Sequence, residues 1–260
     1  MISFNSIRFT ILGIPGYLFF SGVGLVISFL VFIILCERKK CKFVLNPLKV
    51  MLTVFCVGIF SKIFGLLSVI YRYIGLRAMP SWSQMNESGI VFYGGLFGLF
   101  LCIYCNKSSH SDKRLINIIS VCTPLFHSIA RIGCFTGGCC FGVETCSHIS
   151  VLYTTVVDGK INTAYRVPIQ LFESLMELSI FFILLYQVNK NGWEKRNVLK
   201  IYMIIYSIGR FILEYFRGDN VRGLIRGISF SQFVSVCIWF VLLLTFVINE
   251  TRKRKEAKRI

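Results

Sequence analysis

Apolar residues run through this chain in long, nearly uninterrupted stretches, not in the narrow stripes that mark helices on the surface of a soluble protein. The stretches cover about 9–36, 48–71, 89–104, 115–131, 167–188, 201–216 and 229–248. Most approach the ~20 residues an α-helix needs to cross a bilayer. The pattern predicts an all-α polytopic membrane protein of about seven transmembrane helices. The first stretch is too long for a signal-peptide core and has no clear small-residue cleavage site, so it reads as an uncleaved span.

Composition agrees with this. Hydrophobic residues make up 55% of the 260 and charged residues only 16%, against about a quarter charged in soluble domains. Residues 1–260 are therefore expected to form a single integral membrane domain. A formal net charge of +17 would suggest nucleic acid in a soluble protein. Here, though, the basic residues gather in short connections: Arg38, Lys39, Lys40 and Lys42; Lys107, Lys113 and Arg114; Lys190, Lys195, Arg196 and Lys200; and Arg252 to Lys255. Basic connections are retained on the cytoplasmic side. That places the N-terminus outside and the C-terminus inside, makes 250–260 a basic cytoplasmic tail, and argues against a nucleic-acid partner.

The remaining connections then lie outside. One carries Pro80-Ser81-Trp82, a suitable interfacial anchor. The segment 143–166, between the fourth and fifth spans, is a small periplasmic or extracellular element. It contains Asp158-Gly159 among Thr, Val and Tyr residues and predicts a hairpin. Arg217, Arg222 and Arg226 fall on the outer side against the general trend. They are either solvated loop charges or a grip on a phospholipid headgroup.

Chemistry is concentrated where ionisable groups interrupt the spans. Such a group at a helix centre costs about 2.5–3.5 kcal/mol on insertion scales, so a cluster of them is a functional candidate. Arg131, Glu173, Glu177, Arg210 and Glu214 form one cluster if the fourth, fifth and sixth spans meet at their outer halves. Gln170, Glu173 and Glu177 share one helical face, as do Ser207, Arg210, Glu214 and Arg217. Arg210 and Glu214 can pair within their helix, leaving guanidinium donors for a ligand. Arginine suits a phosphate because its fork binds bidentately and keeps its charge. A structural ion-pair network has the same appearance in sequence.

His127 precedes Arg131 by four residues and can act as a proton acceptor near neutral pH. A histidine that only satisfies a hydrogen bond is the plain alternative. Val91-Phe92-Tyr93-Gly94-Gly95-Leu96-Phe97-Gly98 opens the third span with small residues that admit a helix, a headgroup or an acyl chain. Of eleven cysteines, seven are scattered. Cys134, Cys139, Cys140 and Cys146 cluster on the outer side, where a disulfide can persist. Their spacing matches no paired Cys-x-x-Cys pattern, so a disulfide or packed thiols is preferred to zinc held with His127 or His148. No metal and no cofactor is expected.

At these residues the chain resembles the prolipoprotein diacylglyceryl transferase family of bacterial membrane enzymes. Phe92-Tyr93-Gly94-Gly95-Leu96 is similar to the family's His-Gly-Gly-Leu segment. Ala130-Arg131-Ile132-Gly133-Cys134-Phe135, with Gly138 and Gly142 following, resembles its Gly-Arg-x-Gly-Asn-Phe signature. Pro168-Ile169-Gln170-Leu171-Phe172-Glu173 is similar to its Pro-Ser-Gln-Leu-Tyr-Glu segment. Arg210 to Arg217 resembles its Arg-x-x-x-Glu-x-x-Arg helix, and Ser229-Phe230-Ser231-Gln232 its Ser-x-x-Gln. The five segments occur in family order.

The resemblance implies transfer of a diacylglyceryl group from phosphatidylglycerol to the lipobox cysteine thiol of a preprolipoprotein, in the bacterial cytoplasmic (inner) membrane. It would be the first step of lipoprotein maturation. Carried over position by position, it implies catalytic roles for Tyr93, Arg131, Arg210 and Glu214, beside His127 as a base. Substrate binding falls to Gly94, Gly95, Gly133, Gly138, Gln170, Glu173, Arg217 and Gln232. Tyr93 stands where the family has histidine, Cys134 where it has asparagine and Cys139 where it has glutamate. An unperturbed tyrosine, with a pKa of about 10, is a poor base at neutral pH. Either His127 takes that role, or Tyr93 only hydrogen-bonds the substrate, or the chain acts on something else. Two other functions fit part of the sequence: a membrane thiol oxidoreductase built on Cys134 to Cys146, and a phospholipid-binding or transport relative without transferase activity.

Overall fold

The computed structural model describes the chain except residues 1–2, 7–8, 42–46, 87, 106–112, 158, 194–196, 219–222 and 258–260. Lys42, Lys107, Asp158, Lys195, Arg196, Arg222 and the last three residues of the tail, all used in the sequence reading, lie outside the described residues. The chain opens with three short strands, β1 (Ser3–Asn5), β2 (Thr10–Ile11) and β3 (Ile14–Pro15). Helices α1 (Gly16–Arg38), α2 (Pro47–Gly75), α3 (Trp82–Asn86), α4 (Phe92–Cys105) and α5 (Lys113–Thr136) follow. A hairpin of β4 (Val151–Val157) and β5 (Lys160–Arg166) leads into α6 (Ile169–Asn191). Next come α7 (Val198–Leu213), extended by a 3₁₀ turn over Glu214–Phe216, then β6 (Leu224–Ile225), β7 (Ile228–Ser229) and α8 (Phe230–Ala257).

Five of these helices, α1, α2, α5, α6 and α8, are long and apolar enough to cross a membrane. Each of the seven expected apolar stretches contains a helix, but α4, with 14 residues, and α7, with 16, are only about 21 and 24 Å long. Both fall short of a hydrocarbon core of about 30 Å. The first stretch also turns helical later than its hydropathy suggested. Residues 10–15 form the β2–β3 hairpin, with Leu12 (φ 53°) and Gly13 (φ 76°) at its tip. Two successive left-handed residues are what a type I′ turn requires. A second hairpin of the same kind, β6–β7, turns at Arg226 (φ 50°) and Gly227 (φ 80°) and leads into α8.

The helices differ in how much of their apolar surface they bury. In α5, 61% of the apolar window is buried, against 22% in α1, 11% in α2 and 17% in α8. That makes α5 the central helix and turns the outer faces of α1, α2 and α8 toward lipid. α5 packs on α1 along one side and on α6 along another, with α7 joining them. Ile118, Val121, Ile180, Leu184, Val198, Tyr202 and Tyr206 fill the space between α5, α6 and α7. α2 instead pairs with α4, and glycines bring these two close. A Cβ on Gly94 would strike the Phe60 carbonyl, and one on Gly98 would lie 2.7 Å from the Cys56 carbonyl oxygen. Lys62, the cation inside the second span, donates to the Asn86 and Ser88 carbonyls at 2.9 and 2.6 Å.

The helix ends sort into two layers. In one layer Arg114 donates to the Lys39 carbonyl at 3.2 Å, and Asn117 donates to the Trp193 carbonyl at 2.6 Å while accepting from Val198 N at 3.1 Å. The other layer holds the strands. β4 and β5 form the predicted antiparallel hairpin, from Val151 opposite Arg166 to Val157 opposite Lys160. β1 adds to it in parallel, Phe4 beside Tyr153, a pairing that three residues could not announce. Phe4, Phe135 and Tyr153 pack ring to ring, and the Tyr153 hydroxyl donates to the Phe135 carbonyl at the end of α5.

Candidate functional site

α5 and α6 are antiparallel, so residues one turn apart on one helix meet residues one turn apart on the other in reverse order. His127 and Arg131 of α5 accordingly face Glu177 and Glu173 of α6. His127 Nδ1 lies 2.8 Å from Glu177 Oε1, and Arg131 is ion-paired to Glu173. All four are at least 95% buried. A carboxylate at Nδ1 fixes the ring tautomer, making Nε2 the acceptor nitrogen. The ring also stacks on Phe92 of α4, centroid to centroid 3.5 Å.

Glu173 extends the ladder to α7, its Oε1 lying 3.7 Å from Arg210 Nε. Arg210 pairs within its helix with Glu214, as its spacing predicted, and Glu214 Oε2 is 3.9 Å from Arg217 Nε. The result is an alternating line, Arg131, Glu173, Arg210, Glu214, Arg217. Any one of these charges alone would be prohibitively costly in a membrane interior, and the alternation of sign is what makes burial tolerable. Yet Arg131 Nε and Arg210 Nη1 are buried with no hydrogen-bond partner among the described residues. A buried donor left unsatisfied costs about 1–3 kcal/mol. Two on neighbouring guanidiniums mark a place that an anion would complete.

Serines of α8 border this line. Arg210 Nη2 donates to Ser231 Oγ at 3.4 Å. Ser235, one turn on, lies 2.9 Å from the Ser231 carbonyl, and its hydroxyl shares a 2.7 Å hydrogen bond with the Tyr93 phenol. Ser235 was not anticipated from the sequence. Its position four residues after Ser231, on the same helical face, was the available signal.

Other expected contact residues lie beside the line of charges, not in it. Gly94 and Gly95 face α2, at Phe60 and Ser61, and Gly133 faces Tyr17 and Phe20 of α1. Gln232 and Ser229 form a reciprocal cap at the start of α8, Ser229 N to Gln232 Oε1 at 2.9 Å and Gln232 N to Ser229 Oγ at 3.2 Å, the pattern of a capping box. Arg217 joins the buried charges, whereas Arg226 is exposed at the β6–β7 tip and Arg222 is outside the described residues.

The chain leaves α5 through Gly137-Gly138-Cys139-Cys140. Left-handed backbone at Gly138 (φ 75°) and Cys140 (φ 59°) folds it back, so that Cys139 N donates to the Cys134 carbonyl at 3.2 Å. Gln170 and Thr155 hold the loop from two sides, donating to the Cys139 and Gly138 carbonyls at 2.9 and 2.8 Å. The Sγ atoms of Cys134, Cys139 and Cys140 come within 4.8 Å of one another. No disulfide is formed among the described cysteines, and Cys146 stands apart and exposed. Arg131 Nη1 donates to Cys134 Sγ at 3.4 Å. Hydrogen bonds from the Cys134 and Cys139 thiols, with Arg217 and Arg131 nearby, hold the Cys140 thiol well below the ordinary thiol range, while the same contacts push Cys139 up.

Residues 6–248 match the family described as "Prolipoprotein diacylglyceryl transferase". A phosphatidylglycerol–prolipoprotein diacylglyceryl transferase of Clostridium tetani is 30% identical over 249 residues, 94% of this chain and 96% of that one. A second such enzyme, "transferase 2" of Clostridium perfringens, is 36% identical over 173 residues, 65% of this chain and 66% of its own. One from Streptococcus uberis is 32% identical over 175 residues, 65% of each chain.

Proposed function

As the chain belongs to the prolipoprotein diacylglyceryl transferase family, we propose that it moves the diacylglyceryl group of phosphatidylglycerol to the lipobox cysteine of a preprolipoprotein. The observation that carries this is the buried line Arg131, Glu173, Arg210, Glu214, with a free donor on each of its first two guanidiniums. In the reaction the acceptor sulfur attacks the glyceryl carbon. The bond from that carbon to the phosphate oxygen breaks, and glycerol phosphate departs with the electron pair. Negative charge grows on the departing phosphate, and fixed donors in a water-poor site stabilise it most when they are already in place. Arg131 and Arg210 supply those donors; Glu173 and Glu214 hold them in position.

Seven crossings, by α1, α2, α4, α5, α6, α7 and α8, with the N-terminus outside the bacterial cytoplasmic membrane, put the strand layer outside. Residues 143–166 then form an external segment of one integral domain, and 250–260 a cytoplasmic tail. An acceptor peptide arrives at that layer, and its thiol meets the Cys134–Cys139–Cys140 loop before it reaches His127, which lies one turn of α5 deeper than Arg131. The thiol oxidoreductase alternative leaves the buried arginines without a task.

The test incubates the purified full-length protein with phosphatidylglycerol and a lipobox peptide. Mass spectrometry is expected to find the peptide carrying a diacylglyceryl thioether and to find free glycerol phosphate. Absence of the adduct with every common phospholipid would defeat the proposal.

A further inference from the structure

Three thiols converge at the lip of the phosphate site, from a helix end and a loop that other residues pin in place. The Sγ atoms of Cys134, Cys139 and Cys140 lie within 4.8 Å of one another. Three thiolates around a tetrahedral zinc ion at about 2.3 Å each would stand about 3.8 Å apart, a spacing that the 4.8 Å limit on the three sulfurs accommodates. The loop's fold is set from outside the cluster, by Gln170 and Thr155 on its carbonyls and by Gly138, where an added Cβ would crowd Ser6 and Thr155. Cys140 holds a left-handed backbone that is strained for a non-glycine residue and persists only where its surroundings impose it.

The number of converging sulfurs favours a metal over a disulfide. A disulfide would use two sulfurs, carry no charge and leave the third thiol over. Arg131 donates to Cys134 Sγ at 3.4 Å, which ties one of the three sulfurs to the line of buried charges. A catalytic zinc site keeps three protein ligands and leaves a fourth position open.

We infer that Cys134, Cys139 and Cys140 bind a zinc ion whose open position takes the acceptor cysteine, so that the site activates the thiol this enzyme alkylates. The inference rests on the transferase reading. A thiol that coordinates zinc gives up its proton, here to solvent at the outer layer. The acceptor sulfur then attacks the glyceryl carbon, the carbon–oxygen bond to phosphate breaks, and the phosphate leaves with that electron pair beside Arg131 and Arg210. The sulfur, now a thioether, is a weaker ligand and departs. No oxidant or reductant is needed.

The experiment measures metal content and adduct formation on full-length protein purified in detergent with a phosphine reductant. Wild type is expected to hold one zinc per chain. Cys139→Ser and Cys140→Ser should lose it, together with about 10²–10⁴-fold in adduct formation, the range that proton removal contributes. Cys146→Ser, outside the cluster and exposed, should keep both. Cobalt-loaded protein should show thiolate-to-cobalt absorption that shifts when a lipobox peptide is added, and does not shift with the same peptide carrying serine for cysteine. Absence of zinc, zinc retained in both loop variants, a disulfide joining two of the three sulfurs, or a cobalt spectrum indifferent to the cysteine peptide would each overturn the inference. Wild-type protein that makes the adduct without metal would leave the transferase reading standing and defeat this one. A peptide-dependent cobalt shift with no adduct from any phospholipid would do the reverse.

Discussion

At the scale of single residues, the ionisable groups inside spans were the most legible part of the site. A charged side chain in an apolar stretch has few explanations, and the regular spacing of Arg131, Glu173, Glu177, Arg210 and Glu214 was enough to bring them onto facing surfaces. What the sequence did not disclose was which pairs form between helices. Glu173 is shared between Arg131 and Arg210, at 3.7 Å from the latter's Nε, because α6 crosses between α5 and α7. Removing either arginine therefore does two things: it deletes a donor of the proposed phosphate site and leaves Glu173 or Glu214 with less compensation in a buried site. Arg131→Ala and Arg210→Ala are each expected to lower adduct formation by at least about 10²–10³-fold. Arg131→Lys should recover only part of this, since an ammonium restores the charge without the planar fork. Rates on protein matched for folded fraction by size-exclusion profile check this, and full activity in Arg131→Ala would remove it from the phosphate site.

That Cys134, Cys139 and Cys140 meet while Cys146 stands apart was illegible for a local reason. Cys134 ends a helix and Cys139 and Cys140 follow it, so their meeting depends on two left-handed residues, Gly138 and Cys140. A left-handed glycine is common after a helix, but nothing in sequence announces a left-handed cysteine. Tyr93 was equally hidden in its partner, because a serine four residues past a motif looks like any hydroxyl in a membrane helix.

At the scale of elements, hydropathy located the helices to within a few residues at most ends, and its clearest error was instructive. It joined residues 9–15 to the first span because Ile11, Leu12 and Ile14 are apolar, whereas their backbone turns at Leu12 and Gly13. The β4–β5 hairpin was readable from Asp158-Gly159 and the Thr, Val and Tyr residues around it. Its role as the platform that fixes the loop after α5 was not, because β1 reaches it from the other end of the chain. Tyr153 shows how that platform is fastened. Its ring is 2% exposed, its hydroxyl donates to the Phe135 carbonyl, and burial pushes the phenol above its ordinary value of 10.0. The folded protein thus keeps a proton that the unfolded chain releases. Its contribution is complete below pH 10 and is lost as pH rises toward the folded-state value. Tyr153→Phe should cost about 0.5–1.5 kcal/mol at pH 8 through the lost hydrogen bond. The gap to wild type should then narrow as pH rises past 10. Thermal unfolding in detergent at pH 8 and pH 11 measures both, and a gap that widens at pH 11 would contradict the account.

For the whole molecule, the two layers of helix ends turn the charge pattern into a geometric statement. Arg38, Lys39, Lys113, Arg114, Lys190 and Lys200 all fall at or next to helix ends away from the strand layer, as do the basic residues closing α8. The strand layer carries the exposed apolar side chains Leu12 at 89% and Trp82 at 76%, which suit the headgroup region better than free solvent. If basic ends stay in the cytoplasm, the charge line opens toward the outside, where a preprolipoprotein emerging through the membrane presents its thiol. Two exposed cysteines report on this directly. Cys146 sits in the strand layer after α5, and Cys105 closes α4 at the other end. In single-cysteine variants, a membrane-impermeant maleimide added to intact cells stripped of any outer barrier should label Cys146. It should reach Cys105 only after lysis. The reverse pattern would turn the molecule over, placing the thiol cluster in the cytoplasm, where a translocated acceptor peptide could not reach it. The same labelling tests whether the short α4 crosses: if α4 does not span, Cys105 stays on the side from which α2 emerges and is labelled along with Cys146.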